Sequence, residues 1–375
     1  MSEEALDLEM DRNFVSWIKT QRYSILASSY RTGSVFCLGF TTIKETKDNI
    51  LNEQLSFWTT SEIRCMGMTT TNNGKTVWIS SKNRLTKYDH YGTEKEETDT
   101  FVRSDFDGIY IPRKIHITGD IDVHDIVIPD GSSEPCFVNA LHSCICTPSD
   151  NASFKVYWKP PWISKIAAED RTHLNGLCCL DGVPRYVTAC AMTDIRGGWR
   201  EHSNSGGVIY DIIENLVVCK DLSMPHSPRM RPNDPTKIWV LNSGRGDFGY
   251  VDLEETLEDG THPFIAKCFV PAYLRGMAFI GEDYALVGGS EDRHERVFSN
   301  LPLGEILKEK GDVKARCGIF VINMKTFDIV HEFTFKKGVK ELYDIVTIPH
   351  IIRPKIYESF DHASIEGLIS IEELQ

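Results

Sequence analysis

Tyr343-Asp-Ile-Val-Thr-Ile348 opens like a strand that should fold back on a second one, yet no apolar partner run follows it. The partner lies at the other end of the chain. Tyr23-Ser-Ile-Leu-Ala-Ser28, a turn through Arg31-Thr32-Gly33, and Ser34-Val-Phe-Cys-Leu38 read as the second and third strands of the same sheet. A sheet assembled from both chain ends is how a β-propeller shuts its ring and hides its edges.

The same opening recurs five times between these ends. Each copy is an anchor, an apolar strand, a turn and a second apolar strand. Arg64-Cys-Met-Gly-Met turns at Asn72-Asn73-Gly74 into Thr76-Val-Trp-Ile-Ser80, and His124-Asp-Ile-Val-Ile turns near Asp130-Gly131 into Cys136-Phe-Val-Asn139. His173-Leu-Asn-Gly-Leu turns at Asp181-Gly182 into Arg185-Tyr-Val-Thr188, and His226-Ser-Pro-Arg-Met turns at Asn233-Asp234 into Ile238-Trp-Val-Leu-Asn242. Arg275-Gly-Met-Ala-Phe turns at Gly281-Glu282-Asp283 into Tyr284-Ala-Leu-Val-Gly288. Asn-Gly and Asp-Gly between apolar runs are hairpin chemistry. The anchors lie roughly 50 to 70 residues apart, room for one four-stranded blade plus loops. The expectation is an all-β, six-bladed β-propeller forming one domain over residues 1–375. Short helices are expected near 12–20 and at Pro302–Lys310. An exposed loop is expected over Thr93–Phe106, and a polar, loosely packed tail after about 354.

Composition narrows the function classes. Hydrophobic residues make up 41% and charged residues 25%, values of a chain with a packed core. The formal net charge is −13, and no run of Lys and Arg stands out, which argues against nucleic acid and anionic membranes as partners. The acidic N-terminus lacks the basic and apolar regions of a secretory leader, and no apolar run reaches the roughly twenty residues of a membrane helix. The 11 cysteines are an odd number and sit mostly in strand-like runs, the usage of a reducing compartment. The chain reads as cytoplasmic.

Chemistry is expected on the axis. First strands begin, and second strands end, at the same mouth of the channel. The anchors Arg64, His124, His173, His226, Arg275 and Tyr343 should therefore form a ring, with Asn139, His142, Asn175, Arg229 and Asn242 near it. Three histidines at one register on three consecutive blades support two functional readings. One is a metal site in which His124, His173 and His226 hold a divalent transition metal, Zn or Fe, with an open position. The other is acid–base work by the histidines, with Arg64, Arg229 and Arg275 holding an anionic group. The plainer alternative is that each histidine only braces a loop. Trp158-Lys-Pro-Pro-Trp-Ile-Ser164 and Arg196-Gly-Gly-Trp-Arg-Glu201 are loops whose Trp162 and Trp199 could cover a ligand. Gly244-Arg-Gly-Asp-Phe-Gly249 fits a dinucleotide fingerprint in letters, but a strand follows it where a helix is required, so it reads as a turn. Cys144, Cys146, Cys178 and Cys179 lack zinc-finger spacing and read as strand residues.

Several of these motifs resemble a conserved-hypothetical propeller family known mainly as an uncharacterised bacterial group, sometimes associated with tetratricopeptide-repeat proteins. Glu169-Asp-Arg-Thr-His-Leu-Asn-Gly-Leu, Gly197-Gly-Trp-Arg-Glu, Met224-Pro-His-Ser-Pro-Arg, Arg275-Gly-Met-Ala-Phe and Glu341-Leu-Tyr-Asp-Ile carry the resemblance, which runs from about Tyr23 to Pro354. It implies the architecture and brings no activity. Carotenoid cleavage oxygenases and lactonase-type propellers are similar in fold alone. The former hold iron with four histidines where this chain has three, and the latter use acidic ligands without clear counterparts here. The functional expectation is an enzyme acting on a small anionic organic molecule at the axial mouth, as a lyase, cyclase, hydrolase or oxygenase. In it His124, His173, His226 and Tyr343 are catalytic. The competing class is a non-catalytic propeller that displays a rim to a protein partner or senses a small molecule.

Overall fold

The computed structural model describes residues 6–45, 51–94, 101–103, 105–291, 301–358 and 368–369. Six sheets surround one axis as a six-bladed propeller. From the axis outward, blade 1 is Met68–Thr71, Thr76–Ser81, Arg84–Glu94 and Phe106–Ile117. Blade 2 is Val123–Val127, Cys136–Asn139, Cys144–Thr147 and Lys155–Trp158. Blade 3 is Leu174–Leu180, Val183–Ala189, Gly207–Asp211 and Leu216–Leu222. Blade 4 is Pro225–Arg231, Asp234–Asn242, Asp247–Asp252 and Phe264–Phe269, and blade 5 is Tyr273–Ile280, Tyr284–Ser290, Cys317–Asn323 and Ile329–Lys337.

Blade 6 closes the ring as the sequence predicts. Its inner strand, Ile345–Pro349, pairs antiparallel with Tyr23–Ser29, from Tyr23 opposite Pro349 to Ala27 opposite Ile345. Ser34–Glu45 and Leu51–Ser61 complete it. Each chain end then reaches into a neighbouring blade. Asp7–Met10 adds an outer strand to blade 5, and Pro354–Ile356 adds a parallel one to blade 1. The expected loose tail is thus corrected over its first residues. Ile356 is buried, and the Arg353 guanidinium and Lys355 ammonium lie over the rings of Phe106 and Trp58. These are cation–π contacts, and the Lys355 charge also meets Glu94. The Thr93–Phe106 loop also proves shorter than expected. Phe101–Arg103 pairs with Ile43–Glu45 and Phe106 is buried, while residues 95–100 and 104 lie outside the described residues.

Among the described residues, six of the apolar clusters lie one between each pair of neighbouring blades. Strand alternation explains this. In blade 2, Cys136 and Val138 face blade 3, while Phe137 between them faces blade 1. Both sheet faces are buried, so the strands read as continuous apolar runs. The expected helices form at Phe14–Gln21 and Pro302–Glu309. The first buries Phe14, Trp17 and Ile18 against blades 5 and 6. The second starts with Pro302 in its first turn and packs Leu303 and Leu307 on Cys190, Met224, Tyr273 and Trp199. It therefore roofs the blade 3–5 side of the mouth.

The inner strands are joined around the axis by two devices in alternation. Blades 1 and 2, 3 and 4, and 5 and 6 approach through glycines. A Cβ on Gly67 would lie 2.8 Å from Asp125 Cα, one on Gly176 2.2 Å from Pro228 Cδ, and one on Gly276 2.6 Å from Ile345 N. The other three junctions use a side-chain acceptor. Asp125 of blade 2 accepts from Leu177 N–H of blade 3 at 3.1 Å. Ser227 Oγ of blade 4 accepts from Gly276 N–H of blade 5 at 3.0 Å, and Asp344 of blade 6 accepts from Met68 N–H of blade 1 at 2.8 Å.

Gly276 also has φ of +77°, so an alanine there is strained twice, while Gly281, at +54°, has nothing within 4 Å of its Cβ position. Gly276→Ala is expected to cost about 3 kcal/mol or more in urea unfolding, and Gly281→Ala about 1 kcal/mol. Equal costs would show that the close approach at the axis is unimportant.

Candidate active site

The residues at the mouth are placed by a repeated irregularity. In blade 2 the pairing passes from Val123–Asn139 to Ile126–Phe137, so the inner strand advances three residues while its partner advances two. Blade 3 does the same between Leu174–Ala189 and Leu177–Val187. Blade 4 repeats it between His226–Leu241 and Arg229–Trp239, and blade 5 between Leu274–Gly289 and Met277–Val287. Each bulge holds an unpaired dipeptide: His124-Asp125, Asn175-Gly176, Ser227-Pro228 and Arg275-Gly276. Bulges re-aim side chains, and they recur beside active sites.

This register corrects the expectation of three equivalent histidines. His226 stands level with Val123 and Leu174, His124 comes one residue later, and His173 comes one residue earlier. They still meet at one mouth. His124 packs edge to face against His173, with ring centroids 4.9 Å apart, and against Tyr343 at 5.5 Å. His226 feels both other histidines electrostatically.

Each ring is fixed through Nδ1. In His124 that atom faces the carbonyl of Asp122 at 2.8 Å. In His226 it faces the carbonyl of Met224 at 2.8 Å and Ser243 Oγ at 3.0 Å. A carbonyl can only accept, so Nδ1 carries the proton and Nε2 the lone pair. His173 Nδ1 bonds Asp170 Oδ1 at 2.9 Å, and Trp199 Nε1–H donates to Asp170 Oδ2 at 2.8 Å. Trp199 also stacks on His173, with centroids 4.1 Å apart, and Arg200 lies over the indole. Burial holds the His226 pKa well below the usual value, and the Arg275 charge adds to the effect. Burial pushes the Tyr343 phenol well up. Both are therefore neutral near pH 7.

Among the described residues, no group of three or more His, Cys, Asp or Glu side chains could hold a metal ion. The Zn or Fe site expected at His124, His173 and His226 is therefore not shown. The three rings stand at staggered registers, and His173 is held by its face against Trp199 and by Nδ1 against Asp170.

The arginines divide by role. Arg64 is engaged by Asp120 at 3.0 and 3.1 Å, by Asp122 at 2.7 Å and by the Tyr30 hydroxyl at 2.8 Å. Arg229 lies deeper, with Asp125 at 2.8 and 3.2 Å and Asp344 at 3.7 Å. Arg275 is at the mouth, between the rings of Tyr273 and Tyr343 and 3.7 Å from Glu341. Other expected residues lie elsewhere. Asn139 is buried inside blade 2 and accepts from the backbone and ring of His142, which packs on Phe154. Asn242 accepts from Ser223 N–H. Trp162 packs on Tyr210 and donates to Thr172, so it belongs to the blade 2–3 core and is no lid. Asn175 does face the axis. Sequence reasoning missed Asp170, Tyr273 and Glu341 as site residues, although an aspartate three residues ahead of His173 was a readable signal. The glycine-rich Gly244–Gly249 stretch forms a turn with Gly246 at φ of +76°, followed by a strand, as expected.

Beneath the mouth, His124, Asp125, Asn175, His226, Ser227, Tyr343 and Asp344 enclose a cavity of about 10 Å³. That is close to the least that seats a water and far below the roughly 300 Å³ of a ligand pocket. An organic substrate does not fit inside it. Arg229 lines the other end of the channel, a funnel of about 340 Å³ walled by the inner strands of all six blades, including Met68, Ile126, Leu177, Met277 and Ile345.

A model of one family covers residues 12–357. The chain belongs to the family described as Domain of unknown function (DUF4915). No curated protein matches it. Solved propellers are similar at a distance. A functionally unknown protein from Desulfotomaculum acetoxidans is 10% identical over 88% of this chain and 99% of its own, with a TM-score of 0.44. A gluconolactonase from Xanthomonas campestris is 9% identical over 84% and 86%, with 0.43. Virginiamycin B lyase from Staphylococcus aureus is 10% identical over 89% and 100%, with 0.35. Likeness at this level carries no argument about the chemistry of this DUF4915 chain. Among its described residues no helix is long and apolar enough to cross a membrane.

Burial raises the Asp344 pKa to about 7; Arg229 opposes the shift and Asp125 adds to it. The folded chain thus holds a proton that the unfolded chain releases near pH 4, so stability falls as pH rises from about 4 to about 7. Urea unfolding between pH 4.5 and 8 should show a shallower decline for Asp344→Asn than for wild type. Parallel curves would place the titration elsewhere.

Proposed function

We propose that this DUF4915 chain is an acid–base enzyme acting on a small, oxyanion-bearing organic molecule at the histidine mouth. The observation that carries the reading is the Asp170–His173 pair clamped under Trp199 beside His124. Asp170 holds the imidazole in one tautomer and orientation, which suits His173 to exchange a proton with a bound substrate. Arg275 would hold the oxyanion, since Arg64 is already engaged by Asp120 and Asp122 and Arg229 lies below the mouth. Buried Tyr343 stays protonated and would donate a hydrogen bond. The Pro302–Glu309 helix and Trp199 would shield the site from water.

The test is a panel of lactones, carboxylic esters and β-substituted carboxylates, with products read by mass spectrometry. At least one class should turn over. His173→Asn should lower kcat by about 10²- to 10⁴-fold, and Asp170→Asn by a smaller factor, with the melting temperature held. Unchanged turnover in both variants would refute the assignment. No turnover by wild type, together with a protein partner lost only on rim substitution, would support an interaction platform instead.

A further inference from the structure

Three polar atoms at the axis are buried and have no hydrogen-bond partner among the described residues: His226 Nε2, Asn175 Oδ1 and the Tyr343 hydroxyl. Buried polar atoms are nearly always satisfied, so three orphans together call for a missing partner. All three residues line the one cavity of about 10 Å³ beneath the mouth. A cavity of that size admits a water and nothing larger.

The polarity of the three atoms fits a water. His226 Nε2 carries a lone pair, because Nδ1–H is spent on the Met224 carbonyl. Asn175 presents its oxygen, because its amide nitrogen faces Cys190 Sγ at 3.0 Å and the Pro225 carbonyl at 3.4 Å. Tyr343 keeps its proton and can donate. A water there gives both protons to acceptors and receives one bond, the usual coordination of an internal water. An anion would face two lone pairs, and the volume excludes any organic group. Of the other four residues lining the cavity, Asp125 accepts from Leu177 N–H and Arg229, Asp344 from Met68 N–H and Ile345 N–H, Ser227 from Gly276 N–H, and His124 is held through Nδ1 by the Asp122 carbonyl.

We infer that this cavity is a built water site and that the water in it is the nucleophile of a hydrolytic reaction. The inference rests on the acid–base reading of the mouth and narrows it to water-consuming cleavage of an ester or lactone. His226 Nε2 takes one proton as the water oxygen bonds the acyl carbon. The tetrahedral intermediate collapses as the bond to the leaving oxygen breaks, and His173 supplies that oxygen with a proton. His226 then returns its proton to solvent and His173 takes one up, so one ester and one water become one acid and one alcohol. Arg275 faces the negative charge that develops on the carbonyl oxygen.

The experiment has two arms. A crystal structure of the wild-type chain should show one water within hydrogen-bond distance of His226 Nε2, Asn175 Oδ1 and the Tyr343 hydroxyl. Asn175→Leu should expel it, and Tyr343→Phe, which removes only a hydroxyl, should weaken its density if the leucine variant fails to fold. A cavity that is dry, or filled by a moved side chain, overturns the site. In the second arm, the panel is run in H₂¹⁸O. One ¹⁸O per turnover in the acid product, with kcat down at least about 30-fold in Asn175→Leu or Tyr343→Phe, supports the nucleophile. Turnover by elimination without ¹⁸O uptake overturns the hydrolytic role while leaving the acid–base reading standing. No turnover of any class overturns both.

Discussion

Everything in this structure depends on six inner strands crowding one axis. The strands meet there with no sheet hydrogen bonds between blades, so each junction needs its own device. Three junctions use the bare backbone of Gly67, Gly176 and Gly276, where a Cβ would collide with the next blade. Three use the side chains of Asp125, Ser227 and Asp344, which accept backbone N–H groups from the next blade. The devices alternate strictly, so the ring has the local symmetry of three blade pairs more than of six blades.

That arrangement has an electrostatic consequence. Two of the three acceptors are aspartates, and both are buried close to the axis. A buried carboxylate is costly unless its charge is met. Arg229 meets Asp125 with two hydrogen bonds and stands 3.7 Å from Asp344. Burial raises the Asp344 pKa, and one guanidinium shared by two carboxylates offsets that rise only in part. The same cluster divides the channel. Above it lies the histidine mouth and below it the funnel, whose wall mixes Thr69, Thr70, Arg229 and Thr347 with apolar side chains.

The architecture was legible because both faces of every blade are buried. Five apolar hairpins in the same pattern, three with Asn-Gly or Asp-Gly turns, leave little else for the chain to be, and an unpaired Tyr343–Ile348 matched to Tyr23–Ser28 fixes how the ring shuts. The site was legible in its members and not in its geometry. Counting from each anchor placed the three histidines level, because a letter pattern cannot show that the inner strand spends an extra residue on a bulge. Where Gly follows directly, as at Arg275-Gly276, and where Ser227-Pro228 intervenes, the same count lands on different registers. The expectation of three equivalent histidines rested on that alignment. Asn139 and Asn242 bond loop backbone for a related reason: a polar residue at a strand end can point along a loop as readily as toward the axis.

The bulge joins the structural and chemical arguments. A regular strand would pair its residues with the second strand and alternate them between the neighbouring blades, so its side chains would be core. The extra residue in each of blades 2 to 5 escapes both demands. It is unpaired, and it sits where the inner strand bends at the channel. At that step the chain carries His124, Asn175, Ser227 and Arg275, all polar, while the flanking positions are mostly apolar. Ser227 spends its polarity on closing the ring. His124, Asn175 and Ser227 line the cavity beneath the mouth and Arg275 stands at the mouth, while Asn175 also ties blade 3 to blade 4 through the Pro225 carbonyl. One irregularity therefore supplies both the close packing that shuts the propeller and the polar groups that a reaction there requires.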